Sequence, residues 1–183
     1  MGMKMGLGDT TVHLHWQGMI ELDLMVLCSF DNGDVELISF ANDGSLDETP
    51  FVHLLSEFTF AEVPTDNQEI VRLYSDKPSV PNQLWFFTWD FEHVESQSDA
   101  PLGEYELFLE VRQEESRWST EQIKDNVGNT ICFAVWDKAQ ASNANMGFKQ
   151  INERVEMPLM SGMDEVCLHL NDWVAKHRST PSV

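Results

Sequence analysis

The side chains with the clearest chemical potential in this sequence are carboxylates set close to the ends of apolar segments. Five of them form the candidate set: Asp23, Asp43, Asp47, Asp66 and Glu69. Because loops gather at the ends of a packed sheet structure, we expect these carboxylates to approach one another there. Clustered carboxylates repel one another, and a bound cation relieves that repulsion. The sequence therefore predicts a metal site, and calcium is the ion that acidic turns suit best.

Two turns have the composition of a calcium loop but not its usual spacing. They are Asp31–Asp34, with the sequence Asp-Asn-Gly-Asp, and residues 42–48, with the sequence Asn-Asp-Gly-Ser-Leu-Asp-Glu. Calcium takes roughly six to eight oxygen ligands, and glycine permits the sharp turns of its loops. Neither segment has the glycine and closing glutamate of an EF-hand at the required places. Calcium-binding loops and ordinary polar turns are therefore both open for these segments.

His13 and His15 are the second group with metal-binding chemistry. They are two residues apart in an alternating segment, so both imidazoles project from the same face of a strand. A pair of imidazoles binds zinc or copper when a third ligand completes the site. The alternative is that they form the polar, solvent-facing side of an edge strand.

The balance of charge excludes several classes of partner. The chain has 183 residues, of which 31 are acidic and 11 basic, and its formal net charge is −20. Nucleic-acid binding and membrane-surface binding both depend on clustered Lys and Arg, so we expect neither a nucleic-acid partner nor a membrane partner. A hydrophobic content of 42% separates the chain from disordered acidic tails. If the acidic surface has a protein partner, that partner should present a basic surface.

The beginning of the chain and its thiols predict a cytoplasmic location. No apolar run follows Lys4, so no secretory signal is expected, and no stretch approaches the roughly 20 apolar residues of a spanning helix. Cys28, Cys132 and Cys167 are widely spaced among apolar neighbours. This pattern predicts buried free thiols rather than a disulfide or metal site.

Alternating apolar residues predict the strands that must position these groups. The clearest pair is a hairpin of Leu22–Phe30 and Val35–Phe40, because the Asn-Gly at its turn adopts the positive φ that a tight connection needs. Six further strands are predicted at residues 12–16, 51–55, 69–74, 84–89, 103–112 and 130–136. Seven or eight strands at this spacing predict an all-β, antiparallel β-sandwich in one domain over residues 1–183.

The C-terminal segment changes from a strand period to a helical period. Its apolar residues recur at helical spacing: Met163, Val166, Cys167, Leu170, Trp173 and Val174. Asp164 and Glu165 in the first turn and Lys176 near the end suit the helix dipole, and Ser161 is the predicted N-cap. An amphipathic helix is therefore predicted at about residues 162–176.

A carboxylate-based hydrolase is the enzymatic alternative. Glycosidases use two Asp or Glu residues beside a sugar-binding cleft, and the six tryptophans would suit sugar stacking. Most of these tryptophans lie in apolar patterns that predict a core, and Trp118 is expected to be the exposed one. The motifs of serine hydrolases, P-loop enzymes, dinucleotide-binding enzymes and zinc proteases do not occur in the sequence. We therefore expect a non-catalytic protein.

Several motifs also occur in a recognisable order along residues 10–90. A strand ending in Leu14-His15-Trp16 precedes Glu21-Leu22-Asp23-Leu24, and after the hairpin comes Gly44-Ser45-Leu46-Asp47, followed by Pro50-Phe51-Val52. This order resembles the TerD/TerA family of tellurium-resistance and stress-response proteins. The resemblance implies a β-sandwich, no enzymatic activity, and calcium binding through acidic loops. Gly103-Glu104-Tyr105 also resembles a strand of a broader set of sandwich domains, some of them exported.

The resemblance supports two of the candidate ligands. The sequence departs from the family at the main calcium loop, which weakens the expectation of calcium binding. Asp23 matches the second Asp of the family's Asp-Leu-Asp segment, where Glu21 replaces the first, and Asp47 matches the Asp of its Gly-Ser-Leu-Asp turn. The family's glycine-rich acidic calcium loop should follow residues 51–55, where this chain reads Ser56-Glu57-Phe58-Thr59. This departure predicts a divergent member with a reduced or lost calcium site. The alternative is an acidic protein-interaction module without metal.

Overall fold

The computed structural model describes residues 10–18, 20–55, 66–74, 80–124, 128–141 and 146–179. Within these residues, eleven strands form two antiparallel sheets, and a long helix follows them, which confirms the predicted β-sandwich with a C-terminal helix. The elements in chain order are β1 (Thr10–Gln17), β2 (Asp23–Ser29), β3 (Val35–Ile38), β4 (Gly44–Ser45), β5 (Val52–Leu55), β6 (Asp66–Leu73), β7 (Gln83–Trp89), α1 (Phe91–Glu95), β8 (Phe108–Gln113), β9 (Ser116–Ser119), β10 (Thr130–Asp137), β11 (Phe148–Arg154) and α2 (Met163–Ser179).

The two sheets enclose the main hydrophobic core. Sheet A has the strand order β4-β5-β6-β1-β8-β9, and sheet B has the order β11-β10-β7-β2-β3. Val12, Leu14 and Trp16 of β1 are buried between the sheets, as their alternation predicts. Phe86 and Phe133 of sheet B are fully buried against the same core. Removal of these large side chains from water is the main stabilising contribution to the fold.

Helix α2 forms a third layer on the outer face of sheet B. Leu170 and Val174 of the helix are fully buried in a second hydrophobic cluster with Leu27, Trp85 and Phe87 of the sheet. Strands β2 and β7 are therefore covered on both faces. This is why residues 84–89 are apolar without alternation, since neither side of β7 faces water.

A bulge in β10 changes which side chains face the core. The pairing register shifts between Cys132 and Ala134, on the sides of both β7 and β11. As a result, the consecutive residues Phe133 and Ala134 both belong to the core between the sheets, while Cys132 belongs to the cluster under α2. The extra residue of a bulge breaks the strict two-residue period of a strand.

Three predicted features differ in the structure. The strand predicted at residues 103–112 begins only at Phe108, because Leu102–Tyr105 form a 3₁₀ turn that ends with Glu106 in a left-handed conformation, φ 51°. Helix α2 starts at Met163, so Ser161 lies outside it and donates from Oγ to Glu165 at 2.8 Å instead of capping the helix. Trp118 is half-buried, because its ring stacks on Phe148 at 5.4 Å.

The thiols follow the sequence prediction in part. Cys28 and Cys132 are buried, Cys167 is half-buried, and all three are free. The partial exposure of Cys167 differs from the prediction that all three thiols are buried. As for membranes, no helix in the described part of the chain has both the length and the apolar character needed to cross a bilayer.

Candidate functional site

Two of the five predicted ligands lie within electrostatic range of each other, where strand β2 begins. Asp23 begins β2 in sheet B, and Glu69 lies on β6 in sheet A. The two carboxyl groups are close enough for the charge of Asp23 to raise the pKa of Glu69. The Glu69 carboxyl also joins the two sheets, because its Oε2 accepts a hydrogen bond from the backbone N–H of Leu24 at 3.0 Å.

The end of strand β3 explains why Glu69 reaches across the gap between the sheets. Strand β3 pairs with β2 only as far as Ile38, which lies opposite Val26. The backbone N–H of Leu24 therefore needs another acceptor, and a buried N–H without one would destabilise the fold. Glu69 supplies the acceptor from the inward face of β6, where its neighbours at the same spacing are Val71 and Leu73.

Burial changes the protonation of this carboxyl pair. Glu69 is only 8% exposed, and this desolvation is the main reason that its pKa rises to about 8, although the Leu24 N–H lowers it. The Glu69 carboxyl is consequently protonated for the most part at neutral pH. Desolvation also raises the pKa of Asp23, and the nearby charges of Glu21 and Asp90 act in the same direction. A hydrogen bond from the indole N–H of Trp89 at 3.3 Å partly offsets that rise.

Asp90 adds a further carboxylate at the start of α1. It is the N-cap of this short helix, and its Oδ1 accepts from the backbone N–H of His93 at 3.3 Å. Its Oδ2 lies 2.7 Å from His93 Nδ1, so the same side chain also pairs with the imidazole. Aspartate is favoured at this position because it satisfies a free N–H of the first helical turn.

Two exposed phenyl rings lie beside the carboxylates. Phe40, just after β3, is 57% exposed, and Phe91 of α1 is 40% exposed. Their ring centroids are 6.4 Å apart in an edge-on arrangement, and Phe91 packs on the buried Trp89 at 5.3 Å. We name the linked set the acid–aromatic rim, and its members are Glu21, Asp23, Phe40, Glu69, Trp89, Asp90, Phe91 and His93.

The other predicted ligands lie elsewhere or outside the described part of the chain. Asp43 and Asp47 flank β4 at the edge of sheet A, and β5 stands between them and β6. Asp43 is exposed and lies 3.9 Å from His53, and the backbone N–H of Asp47 bonds to Ser45. The side chain of Asp66 is outside the described residues. Among the side chains that the structure does describe, no three His, Cys, Asp or Glu groups are placed to hold a metal ion.

The predicted histidine pair is on one strand face but not on an edge strand. Strand β1 is central in sheet A, between β6 and β8, which corrects the edge-strand interpretation. His13 Nδ1 lies 3.2 Å from the side-chain oxygen of Gln68, and His15 Nε2 lies 3.1 Å from Glu110. The rings stack on each other at 5.9 Å. Cross-strand bonds of this kind account for both histidines without a ligand.

Six members of the rim were not predicted from the sequence as site residues: Glu21, Phe40, Trp89, Asp90, Phe91 and His93. One signal was available for Asp90, since an aspartate before a short polar and apolar alternation is a common helix N-cap. The exposure of Phe40 and Phe91 has no sequence signal, because aromatic residues next to strands ordinarily predict a core.

The rim combines negative charge with exposed aromatic surface. Carboxylates attract Lys and Arg side chains, and the face of a phenyl ring attracts the same cations and also packs against apolar groups. The arrangement is therefore suited to a ligand that carries cationic and apolar groups side by side. Comparison with protein-family models gives no match to this chain, and comparison with curated proteins gives none either.

Proposed function

We propose that this protein is a non-catalytic, cytoplasmic binding protein of the TerD/TerA stress-response type that contacts a basic protein partner through its acid–aromatic rim. The observation that carries the proposal is the exposed pair Phe40 and Phe91, which Trp89 links to the carboxylate of Asp23. Exposed apolar groups surrounded by polar ones are typical of interaction sites. A net charge of −20 selects against acidic partners and favours basic ones.

The stress-response part of the proposal rests on the order of sequence motifs along residues 10–90. The proposed cytoplasmic location rests on the free thiols. The contact surface rests on the geometry of the rim alone. These supports are independent, so failure of the family assignment would leave the interaction surface in place.

A defined peptide tests the surface directly. We expect a labelled peptide of alternating arginine and leucine to bind in fluorescence anisotropy, and to bind more weakly as salt rises. Combined Phe40→Ser and Phe91→Ser substitutions should weaken binding by about tenfold, since such aromatic anchors dominate many interfaces. Leu168→Ser is the matched control, because Leu168 is 62% exposed on α2 and outside the rim.

Two results would count against the interaction proposal. One is equal loss of binding in the control and in the double variant, which would show that the phenyl pair has no special role. The other is equal affinity for a peptide of alternating glutamate and leucine, which would show that charge selects nothing.

Calcium binding is the expectation that the family resemblance adds. Asp23 and Glu69 are the two predicted ligands that lie close together, and calcium would have to displace the proton held by Glu69. Calorimetric titration of chelator-treated protein with Ca²⁺ at neutral and alkaline pH tests this: binding should strengthen with pH and be lost in Asp23→Asn. The absence of heat, together with an unchanged melting temperature at millimolar Ca²⁺, would remove calcium from the function.

One observation favours the hydrolase as a second candidate function. Asp23 and Glu69 both have a raised pKa, and the charge of Asp23 contributes to the rise at Glu69, as is expected of a general acid and its partner. Nitrophenyl glycosides provide a direct assay, in which turnover should disappear in Glu69→Gln. Wild-type release of nitrophenol no faster than that of the variant would eliminate this candidate.

A further inference from the structure

A cleft opens at the far ends of β2 and β7 from the acid–aromatic rim. It has a volume of about 480 Å³ and lies between the last turn of α2 and sheet B. Its lining includes Trp85, Phe148, Lys149, Ile151, His177 and Arg178. A neighbouring hollow of about 660 Å³ shares Gln83, Asp137 and Arg178 with it and adds Lys138. Arg178 therefore stands at the junction of the two.

Positive charge gathers here, in contrast to the rest of the molecule. Three cationic side chains line the cleft or the neighbouring hollow: Lys138, Lys149 and Arg178. Two carboxylates also line them, Asp31 and Asp137. Within the described residues, the ammonium groups of Lys138 and Lys149 form no ion pair. In a chain with 31 acidic and 11 basic residues, cations left without a carboxylate partner are unexpected.

Both carboxylates accept hydrogen bonds from neutral donors. Asp31 accepts a hydrogen bond from the side-chain amide of Asn82. Asp137 accepts one from the side-chain amide of Gln83 at 3.1 Å and one from the backbone N–H of Ala139 at 2.9 Å. These bonds fix the carboxylates in place, and among the described residues neither carboxylate forms an ion pair with Lys138 or Lys149.

Arg178 is held in position by groups that leave its charge available. Its guanidinium lies over the ring of Trp85, 5.7 Å from the centroid, and donates to Ser29 Oγ at 3.3 Å and to the side-chain oxygen of Gln83. Partial desolvation lowers the pKa of Arg178, and only the charge of Asp137 opposes that effect. A partly desolvated guanidinium of this kind is stabilised by an added anion.

The helix dipole explains only part of this cluster. The negative end of α2 favours Lys176, His177 and Arg178 in its last turn. It does not explain Lys138, in the turn after β10, or Lys149 on β11, which approach from the sheet side. Cations from two separate elements therefore line two adjoining spaces that meet at Arg178.

Apolar side chains form the remainder of the smaller cleft. Trp85 of β7 and Ile151 of β11, which belong to the cluster under α2, line it on the side of the sheet, near Lys149. Its volume falls within the range of small-molecule sites, roughly 300–1,000 Å³, and exceeds what an inorganic anion alone would fill. The lining thus offers cations for a head group and an apolar wall for the remainder of a ligand.

We propose that this cleft, with the hollow that joins it at Arg178, binds a small molecule with an anionic head group, phosphate or carboxylate, and an apolar body. Arg178, Lys138 and Lys149 hold the head group, and Trp85 and Ile151 contact the body. The site is independent of the proposed function, since the rim lies at the opposite ends of β2 and β7.

Titration with four simple probes tests the proposal by NMR, following the backbone amides of Ser29, Lys138 and Lys149. The probes are phenyl phosphate, benzoate, inorganic phosphate and benzyl alcohol, at constant ionic strength. We expect saturable shifts with phenyl phosphate or benzoate, and the comparison between them distinguishes the phosphate source from the carboxylate source. Inorganic phosphate should bind about tenfold more weakly, because it lacks the body.

Substitutions then assign the cations. Combined Lys138→Gln and Lys149→Gln substitutions, both at exposed positions, should weaken phenyl phosphate binding by about tenfold or more. Lys124→Gln, an exposed lysine outside the cleft, is the matched control and should bind as the wild type does. If the double variant fails to fold, as judged by circular dichroism, the titration of the wild type with the four probes alone decides whether the ligand class binds.

Three outcomes would overturn the proposal. Benzyl alcohol binding as tightly as phenyl phosphate would show that the head group is not recognised. Shifts that remain linear into the millimolar range would show that the cleft holds no ligand of this class. Equal weakening in the Lys124 control and in the double variant would show only a general effect of charge.

Discussion

Glu69 occupies a position where the strand pattern calls for an apolar residue. It shares the inward face of β6 with Val71 and Leu73, and isolated negative charge there would be strongly destabilising. The side chain meets this constraint by retaining its proton and by accepting the Leu24 N–H. The proton of Glu69 and a hydrogen bond between the two sheets therefore depend on the same carboxyl group.

The stability of the fold should fall as pH rises through neutrality. The pKa of Glu69 rises from an ordinary value of 4.5 to about 8 in the folded chain, so the folded state holds a proton that the unfolded state has lost. The stabilisation from this proton is complete below about pH 4.5 and declines between there and about pH 8. At about 1.4 kcal/mol per pKa unit, it amounts to a few kcal/mol at most. Urea denaturation at a series of pH values measures it.

Glu69→Gln provides the matched variant, because glutamine keeps an acceptor for the Leu24 N–H and cannot ionise. The variant should have a flatter pH profile and exceed the wild type in stability above pH 8. Asp47→Asn, at an exposed carboxylate, should leave the profile unchanged. Parallel profiles for the wild type and Glu69→Gln would show that Glu69 does not govern this dependence.

Residue types alone were sufficient for part of the site. Asp23 was predicted because it lies near the end of an apolar segment, and its place at the start of β2 agrees with that position. Glu69 was predicted as a metal ligand from its acidic neighbours, whereas its burial depends on where β3 ends, and no local pattern contains that information. Asp43 and Asp47 were grouped with them because sequence does not show which strand lies between two turns.

At the scale of elements, the hairpin and α2 could be predicted because their signals are local. The Gly33 turn has φ 89°, as its Asn-Gly sequence requires, and α2 extends from Met163 past the predicted end at residue 176. Strand β10 shows the limit of periodicity. The bulge before Ala134 turns two consecutive residues inward, and this shift arises from pairing with β7 and β11 on both sides.

Gly44 is required by a close approach of two backbones. Its φ is 73°, and a Cβ at this position would lie 2.0 Å from the backbone oxygen of Val52. Gly44→Ala should therefore cost about 3 kcal/mol or more in the free energy of unfolding, from strain and displacement of β5. Gly33→Ala is the control, since only the positive φ opposes it, at about 1 kcal/mol. Equal losses in urea denaturation would contradict the close approach.

The packing of α2 on sheet B can be tested with two leucines from the same helix. Leu170 is fully buried, and Leu170→Ala should cost about 2–5 kcal/mol because it leaves a cavity under the helix. Leu168 is 62% exposed, and Leu168→Ala should change stability by no more than about 0.5 kcal/mol. A similar loss for both in thermal or urea unfolding would mean that α2 does not pack as described.

At the scale of the whole molecule, the net charge of −20 opposes compaction. Salt screens this repulsion, with a Debye length near 8 Å at physiological ionic strength. We expect the free energy of unfolding in urea to rise by on the order of 1 kcal/mol between very low salt and physiological ionic strength. The same titration with an uncharged osmolyte of matched osmolality controls for effects unrelated to charge. A fall with salt would indicate that attractive ion pairs dominate.

The edges of the two sheets have a consequence for self-association. Sheet A ends at one side in β4, only two residues long, and at the other in the four-residue β9. The edge strand β11 of sheet B carries Lys149, Glu153 and Arg154. Short or charged edges offer a poor template for a strand from another molecule. At high concentration the negatively charged chains repel one another before contact. On contact, their sheet edges offer few backbone groups for pairing, so fibril growth by edge addition is disfavoured.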